Sequence, residues 1–552
     1  MMFATWAKLA AGLSLLVIAV PAQEGLDPAL LLKPPTTTWP TYHGDYSGRH
    51  FSPLAQINQS NVKGLSLAWV YRTNSFIEGS IVGGGDQDSP PRGASQNSAG
   101  PVIKSIPLML NGVLYFSVPN HAYAIDAYTG RQIWHYFWRG RGAIGNRGMA
   151  LWGQWLYFET PDNNVVSLEA ATGKERWHKA VVPPNLPHFS TVAPVVIGNH
   201  VLTGIAGDSG GSSGWLEARD PETGDVQWRW YATPRAGQPG IETWPDAEAA
   251  DHGAGGPWQP PTYDPELNLI YVTTGNPAPV YIGTARPGAN LWTSSIVALN
   301  ADTGKLVWYY QTSPHDTHDW DATEVPVLFD ANINGKPRKL LAQANRNGYY
   351  FLLDRTNGKN LVARAFIPSA NGYNKTDPRG TLIPDEAKEP QIGGSLVSPS
   401  SDGAANYPAP SFDPETMLFY VNATQSFSIY YADPSEKNAL GSGGSMEYHT
   451  GLFHSALLAL DYQTGQVKWR HDYPGTGFWS STYPGILTTA GKLLFTGDPA
   501  GNFVARDPAT GADLWHSGLG AQITNSPETY LLSGTQYVLA GAGDTLFAFS
   551  IQ

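Results

Sequence analysis

Short apolar or alternating runs recur along the chain, and compact polar segments separate them. The run Ala122-Tyr123-Ala124-Ile125, for example, leads into a Thr-Gly segment that is followed by Gln132-Ile133-Trp134. Short alternating runs bounded by turn residues are typical of β-strands. The pattern therefore predicts strand–turn–strand units.

One turn motif repeats with fixed internal spacing: a short acidic or amide residue, two spacers, Thr-Gly, three spacers and Trp. Asp or Asn bonds its own backbone and Gly accepts a positive φ, so each copy predicts a tight β-hairpin turn with the Trp on the following strand. A seventh copy, through Asp354 and Gly358, lacks the Trp. The six full copies begin at Asp126, Glu169, Asp220, Asn300, Asp461 and Asp507 and end at Trp134, Trp177, Trp228, Trp308, Trp469 and Trp515.

The spacing between copies predicts the architecture. The anchors Asp126 and Glu169 lie 43 residues apart, and Asp461 and Asp507 lie 46 apart, whereas wider gaps must carry insertions. A period in the forties with one hairpin motif per unit is typical of a four-stranded propeller blade. A β-sandwich with coincidental turns is the alternative, and the fixed spacing disfavours it. We expect one domain at residues 23–552 with seven or eight blades.

Composition agrees with a turn-rich β protein. Only 14% of residues are charged, 60 are Gly and 44 are Pro, and Trp, Tyr and Phe together make up 12%. The formal net charge is −12, and no run is rich in Lys or Arg, which argues against nucleic acid as a partner. The absence of Cys excludes thiol nucleophiles, disulfides, iron–sulfur clusters and covalently attached c-type haem. Any redox chemistry therefore requires a separate cofactor.

The N-terminus has the pattern of a secretory signal. Lys8 precedes an apolar stretch from Leu9 to Val20, and Ala22 offers a small residue for cleavage. We expect residues 1–22 to be a signal peptide and the mature chain, without a transmembrane domain, to be exported to the periplasm. An uncleaved anchor is the alternative, and membrane association is left open.

The Thr-Gly-x-x-x-Trp repeats resemble the tryptophan docking motifs of the quinoprotein alcohol dehydrogenases. The resemblance spans nearly the whole mature chain and includes Asp264-Pro265-Glu266-Leu267 before Gly275-Asn276-Pro277. It implies an all-β, eight-bladed β-propeller that binds pyrroloquinoline quinone (PQQ) with Ca²⁺ or a lanthanide ion and oxidises an alcohol or sugar hydroxyl. Without a Cys-x-x-Cys-His motif, it also implies an external electron acceptor such as a cytochrome c.

Matching positions imply the cofactor-binding residues. Trp258 matches the aromatic floor for the quinone, although an ordinary core Trp is the alternative. Arg147 matches the partner of a cofactor carboxylate, a task that suits a bidentate guanidinium. Thr160 matches a threonine donor, with an ordinary strand threonine as its alternative. Asn406 matches a further amide contact, and Tyr483 stands where the family has an enclosing tryptophan.

The resemblance also implies a base and a metal site. Asp319 matches the catalytic aspartate and a metal ligand, and Arg346 matches the arginine that contacts the quinone oxygens beside it. Asn276 matches an amide ligand of the metal. Asp321 resembles the family variants that use lanthanides, since an added carboxylate favours a hard cation of higher charge. Asp208 is a further candidate ligand.

The chain departs from the family at several positions. Lys104 stands in place of a cofactor-contacting glutamate, and Arg141-Gly142 replaces an adjacent cysteine pair. Ser209 stands in place of the metal-binding glutamate, which is why the neighbouring Asp208 becomes the candidate.

Two functions from different classes therefore stay open. The first is a PQQ-dependent dehydrogenase, and the second is a cofactor-empty propeller that acts as a binding or scaffolding module in the cell envelope. A weak third hypothesis places zinc on His315, His318 and Asp319, because a His-x-x-His pair beside a carboxylate can bind that ion.

Overall fold

The computed structural model describes residues 25–73, 81–82, 102–140, 147–183, 188, 190–205, 211–433, 445–475 and 483–551. Within these ranges the strands form eight sheets of four or five strands and one two-stranded ribbon. This arrangement confirms the predicted all-β, eight-bladed propeller, and seven of its blades carry a copy of the hairpin motif. The predicted signal peptide at residues 1–22, and positions Arg141, Gly142, Asp208 and Ser209, lie outside the described residues.

Each blade is built on four antiparallel strands, and we number the blades in the chain order of their first strands. The strands are, for blade 1, Leu108–Leu110, Val113–Val118, His121–Asp126 and Gln132–Phe137; for blade 2, Met149–Trp152, Trp155–Glu159, Asn164–Glu169 and Glu175–Ala180; for blade 3, Val195–Ile197, His200–Gly204, Trp215–Arg219 and Val226–Tyr231; and for blade 4, Thr262–Asp264, Leu269–Thr273, Ser295–Asn300 and Leu306–Gln311. They are, for blade 5, Val327–Ile333, Lys336–Ala344, Tyr349–Asp354 and Lys359–Ala365; for blade 6, Ser411–Asp413, Leu418–Tyr431, Met446–Asp461 and Val467–Asp472; for blade 7, Leu487–Thr489, Leu493–Gly497, Asn502–Arg506 and Asp513–Gly518; and for blade 8, Glu528–Leu532, Thr535–Ala542, Thr545–Ile551 and Leu65–Arg72.

The remaining elements are short. Fifth strands join blades 1, 6 and 7, and the ribbon lies in the connection between blades 5 and 6. Of the helical segments, Gly283–Ala285 lies within blade 4 and Pro28–Leu32 lies near the N-terminus, whereas the others lie in connections that lead to a blade. In the part of the chain that the structure describes, no helix has the length and apolar character needed to cross a membrane. The fifth strands are Ile81–Val82, Ser395–Val397 and Phe51–Ser52, the ribbon strands Tyr373–Thr376 and Leu382–Pro384, the α-helix Ala247–Asp251, and the 3₁₀ turns Pro28–Leu32, Val62–Gly64, Ile241–Thr243, Gly283–Ala285 and Glu386–Lys388.

The motif tryptophans join neighbouring blades. Trp134, on the fourth strand of blade 1, donates its indole N–H to the Ala170 carbonyl in the turn of blade 2, 2.9 Å away. Gly173 of that turn has a φ of 72°, and a Cβ there would meet the Trp134 ring at 2.7 Å, so only glycine fits. Trp228, Trp308 and Trp469 donate to the next turn in the same way. The motif therefore fixes both a turn and a blade interface.

The segment Thr36–Ser52, which we name the N-terminal belt, runs along the first strands of the blades. Trp39 exchanges two backbone hydrogen bonds of 2.9 Å with Met109 of blade 1. Further carbonyls of the belt accept bonds from the first strands of blades 4 to 8, and the Tyr46 hydroxyl donates to blade 3. The first strands thus surround the belt and line the propeller axis. The bonds join Tyr46 to Tyr263, Ser47 to Leu328, Arg49 to Phe412, His50 to Thr488, Thr36 to Leu531 and Tyr46 to Val196.

Candidate active site

The predicted site residues that the structure describes lie at one end of the propeller. Each either precedes the first strand of a blade or follows the second strand. Adjacent antiparallel strands bring the start of one beside the end of the other, so all these positions share one end of the sheets. Arg147, Trp258, Asp319, Asp321, Asn406 and Tyr483 precede first strands, whereas Thr160, Asn276 and Arg346 follow second strands.

Asp321 joins the predicted floor to the predicted metal ligand. Its Oδ2 accepts the indole N–H of Trp258 at 2.7 Å, and its Oδ1 accepts the backbone N–H of Asn276 at 2.5 Å. The carboxylate is buried and also lies 3.6 Å from Nη2 of Arg346. Asp321 thereby fixes three of the other predicted residues relative to one another.

Asp319 is held at the surface of this cluster by a strained local backbone. Its φ is 65°, in the left-handed region that few residues other than glycine adopt. Arg346 donates to the Asp319 carbonyl at 2.8 Å, and its Nη1 lies 3.7 Å from the Asp319 carboxylate, whose side chain is 27% exposed. Asp316 supports the same loop by accepting the backbone N–H groups of His318 and Trp320. The loop therefore presents an accessible carboxylate beside a guanidinium.

Glu324 is a site residue that the sequence did not reveal. Its carboxylate is buried, and Oε1 lies 4.0 Å from Nε of Arg346. Burial raises the pKa of Glu324 well above its usual range, which Arg346 partly opposes. An acidic residue between the strand-forming residues Thr323 and Val325 was the available signal. We name Asn276, Asp319, Asp321, Glu324 and Arg346 the acid side.

Arg147 lies over the ring of Trp258, between two aromatic rings. Its Cζ is 4.4 Å from the Trp258 ring centroid and 4.5 Å from that of Tyr407. The guanidinium donates to the carbonyls of Thr191 and Trp258 at 3.1 and 3.2 Å. Arg147 is buried, and burial lowers its pKa. No ion pair joins it to a carboxylate within the described residues.

Tyr407 was also missed by the sequence, although it directly follows Asn406. Lys104 Nζ lies 5.9 Å from the centroid of the same ring. Tyr42 of the N-terminal belt lies near this group: burial raises the pKa of Tyr42, and the nearby Arg147 guanidinium opposes that rise. We name Lys104, Arg147 and Tyr407 the cation side.

Three other predicted cofactor residues hold local structure. The Thr160 hydroxyl donates to Asp162 at 2.5 Å and accepts the backbone N–H of Asn164. Asn406 donates to the Asp402 carbonyl and accepts from the Tyr407 backbone. Tyr483 is buried, and burial raises its pKa well above the usual range; the charge of Glu324 adds to this rise and that of Arg346 opposes it. Their contacts with a cofactor stay predictions.

The zinc hypothesis receives no geometric support. His315 Nδ1 contacts the Gly288 carbonyl at 2.7 Å, whereas His318 Nε2 contacts the Lys388 carbonyl at 2.9 Å. The two rings therefore contact different segments of the chain. Among residues with described positions, no three His, Asp or Glu side chains are grouped so that they could hold a metal ion.

The donor atoms present fit PQQ and a hard metal ion. Asn276 Oδ1 is buried and has no hydrogen-bond partner in the described structure, as expected for an atom that awaits a cation. Arg147 is a buried cation whose Nε also lacks a hydrogen-bond partner there. A hard cation, which prefers oxygen ligands, would satisfy the Asn276 oxygen. A planar anion with carboxylates would satisfy the Arg147 guanidinium.

Comparison with known families agrees with this geometry. A sequence model described as "Glucose/ethanol/alcohol dehydrogenase, beta-propeller domain" matches residues 39–155 and 179–378. A second, described as "Outer membrane protein assembly factor BamB", matches residues 453–552.

Individual proteins are similar over most of the chain. Quinohemoprotein alcohol dehydrogenase from Comamonas testosteroni is 35% identical over 92% of this chain and 73% of its own length. The solved quinohemoprotein alcohol dehydrogenase ADHIIG from Pseudomonas putida superposes with a TM-score of 0.84 and 28% identity, over 96% of this chain and 82% of its own. A europium-containing methanol dehydrogenase gives 0.81 and 25%, over 95% and 99%.

Proposed function

Since the chain belongs to the family of PQQ-dependent quinoprotein alcohol dehydrogenases, we propose that it oxidises an alcohol or sugar hydroxyl through bound PQQ and passes the electrons to a separate carrier. One observation carries the proposal: an acid side and a cation side flank the same buried indole, that of Trp258. A propeller that served only as a scaffold would have no need to hold an unpaired guanidinium beside this arrangement.

The cation side binds and orients the cofactor. Arg147 pairs with one of its carboxylates, and Trp258 and Tyr407 supply apolar surface for a flat ring system. When bound, the quinone accepts the two electrons that leave the alcohol. Residues of the chain provide the base and the groups that bind and orient the cofactor.

The acid side performs the proton chemistry. Asp319, whose carboxylate is partly exposed, accepts the hydroxyl proton of the substrate as general base. Arg346 bonds the Asp319 backbone and lies near its carboxylate, which stabilises the charged form of the base before reaction. Asp321 holds Trp258 and Asn276 in fixed positions relative to that base through two hydrogen bonds.

Asn276, Asp319, Asp321 and Asp208 would hold the metal ion. A hard cation held there would supply Lewis-acid polarisation of the carbonyl that is reduced. The similarity to a europium-containing methanol dehydrogenase, together with the second carboxylate at Asp321, supports a lanthanide over Ca²⁺. The carrier would be an external protein such as a cytochrome c, and the N-terminal pattern supports export to the periplasm.

Calorimetric titration of the purified protein with PQQ tests the proposal. We expect saturable binding in the presence of La³⁺ or Ca²⁺, followed by reduction of an artificial dye when a primary alcohol is added. The same titration without added metal is the control. If folded protein binds no PQQ with either ion, the dehydrogenase proposal is wrong and the cofactor-empty scaffold takes its place.

A further inference from the structure

Two cations lie over one aromatic ring at the cation side. Arg147 Cζ is 4.5 Å and Lys104 Nζ 5.9 Å from the ring centroid of Tyr407. Arg147 is buried, whereas Lys104 is exposed at the rim. The pair thus extends from the floor of the site toward solvent.

Neither cation is balanced by an acid. In the described ranges, no ion pair involves either side chain, and the Lys104 ammonium makes no hydrogen bond. The two like charges repel each other. Partial burial of the ammonium and the charge of Arg147 both lower the pKa of Lys104. By contrast, Arg346 on the acid side has three carboxylates within 4.0 Å. An anion that contacts both cations would remove the repulsion.

We propose that Lys104 binds a second carboxylate of the cofactor while Arg147 binds the first. The inference rests on the proposed function, because it requires PQQ as the ligand. A three-ring tricarboxylate has acidic groups at more than one edge, so one molecule can meet a buried guanidinium and a rim ammonium together. The lysine that replaces the family's glutamate then becomes a recognition residue of this chain, and its presence no longer argues against cofactor binding.

The test removes the charge and the carboxylate separately. Lys104→Met keeps the length of the side chain without its ammonium, and the trimethyl ester of PQQ keeps the rings without their charges. Affinities of both ligands are measured by quenching of tryptophan fluorescence, at one pH and with the same metal ion. We expect Lys104→Met to weaken PQQ binding about tenfold or more, the usual size of a lost charged hydrogen bond, and to leave ester binding unchanged.

Matched variants separate this role from a general charge effect. Lys174→Met removes an exposed lysine in the docking turn of blade 2 and should leave both affinities at wild-type values. Lys104→Arg should retain most of the PQQ affinity. Raising the salt concentration should weaken PQQ binding more in the wild type than in Lys104→Met.

The possible results distinguish failure of the proposed role of Lys104 from failure of the proposed function. Unchanged PQQ affinity in Lys104→Met, or an equal loss for PQQ and its ester, would overturn the role of Lys104 while the proposed function stood. Absence of PQQ binding to the folded wild type would overturn the proposed function, and this inference with it. Thermal unfolding of each variant shows that the fold is retained.

Discussion

The acid side and the cation side contact the same indole but differ in how their charges are balanced. On the acid side, Asp321 accepts two hydrogen bonds from neighbouring parts of the chain, and Arg346 lies among three carboxylates. On the cation side, Arg147 has only carbonyl oxygens and aromatic rings as partners. The acid side is cross-linked by its own hydrogen bonds and ion pairs and leaves Asn276 Oδ1 for a cation, whereas the cation side has no counter-charge among the described residues and requires an anion from outside.

This difference separates reaction from recognition. A cluster held by its own hydrogen bonds keeps its geometry before substrate arrives, as a base and its neighbours must. A buried cation without a counter-charge, such as Arg147, instead favours a ligand that supplies the negative charge. Substitutions on the acid side should therefore change turnover or metal preference, and substitutions on the cation side should change cofactor affinity.

The largest expected effect is on the acid side. Asp319→Ala should reduce turnover by about 10²–10⁴-fold, the usual contribution of a positioned base, while PQQ still binds. A dye-linked assay and a PQQ titration on the same sample measure both quantities. Turnover at the wild-type rate would place the base elsewhere.

The matching change on the cation side is Arg147→Met. We expect PQQ affinity to fall about 10–100-fold, because a charged hydrogen bond inside the protein is lost, while turnover at saturating PQQ changes little. Arg131→Met, at an exposed turn position, is the control. If turnover fell and affinity did not, the assignment of the two sides would have to be reversed.

A subtler effect concerns the ion. Asp321→Asn keeps the shape of the side chain and removes its charge, so PQQ binding should shift in preference from La³⁺ toward Ca²⁺. Titration with each ion in turn measures the ratio of affinities, and Asp264→Asn, which alters a buried carboxylate of blade 4 away from these ligands, serves as a comparison. An unchanged ratio would show that Asp321 only anchors Trp258 and Asn276.

The smallest expected effect is a pH dependence of stability. Burial raises the pKa of Asp316 from 3.8 to about 7, so the folded carboxyl keeps a proton that the unfolded one loses above its lower pKa. Wild-type stability should therefore fall as pH rises from about 4 to about 7 and then level off. Asp316→Asn lacks this proton, and its thermal midpoint relative to wild type should rise over the same interval. Parallel curves would contradict the raised pKa.

The sequence predicted the blades better than the site's contacts. The docking motif has a fixed spacing because one turn and one Trp meet at most interfaces, as Trp134 and Gly173 show, so periodicity alone reveals it. The resemblance assigned Arg147, Trp258 and Asp321 to one cofactor and metal site. It gave no sign of Tyr407 or Glu324, since their contacts join loops of different blades and depend on how the ring closes.

The N-terminal belt has a consequence for how the molecule folds. The four strands of each of blades 1 to 7 are joined by local hairpins. Blade 8 instead takes its fourth strand from Leu65–Arg72, and the belt joins Thr36 to Leu531, so both sets of contacts span nearly the whole sequence and raise the contact order of the fold. Tyr42, within the belt, lies beside Gly148, next to Arg147, so seating the belt also places a side chain at the cation side. A cofactor bound there would stabilise the closed ring over any open one by mass action. Cofactor binding and ring closure would then be linked equilibria, each favouring the other.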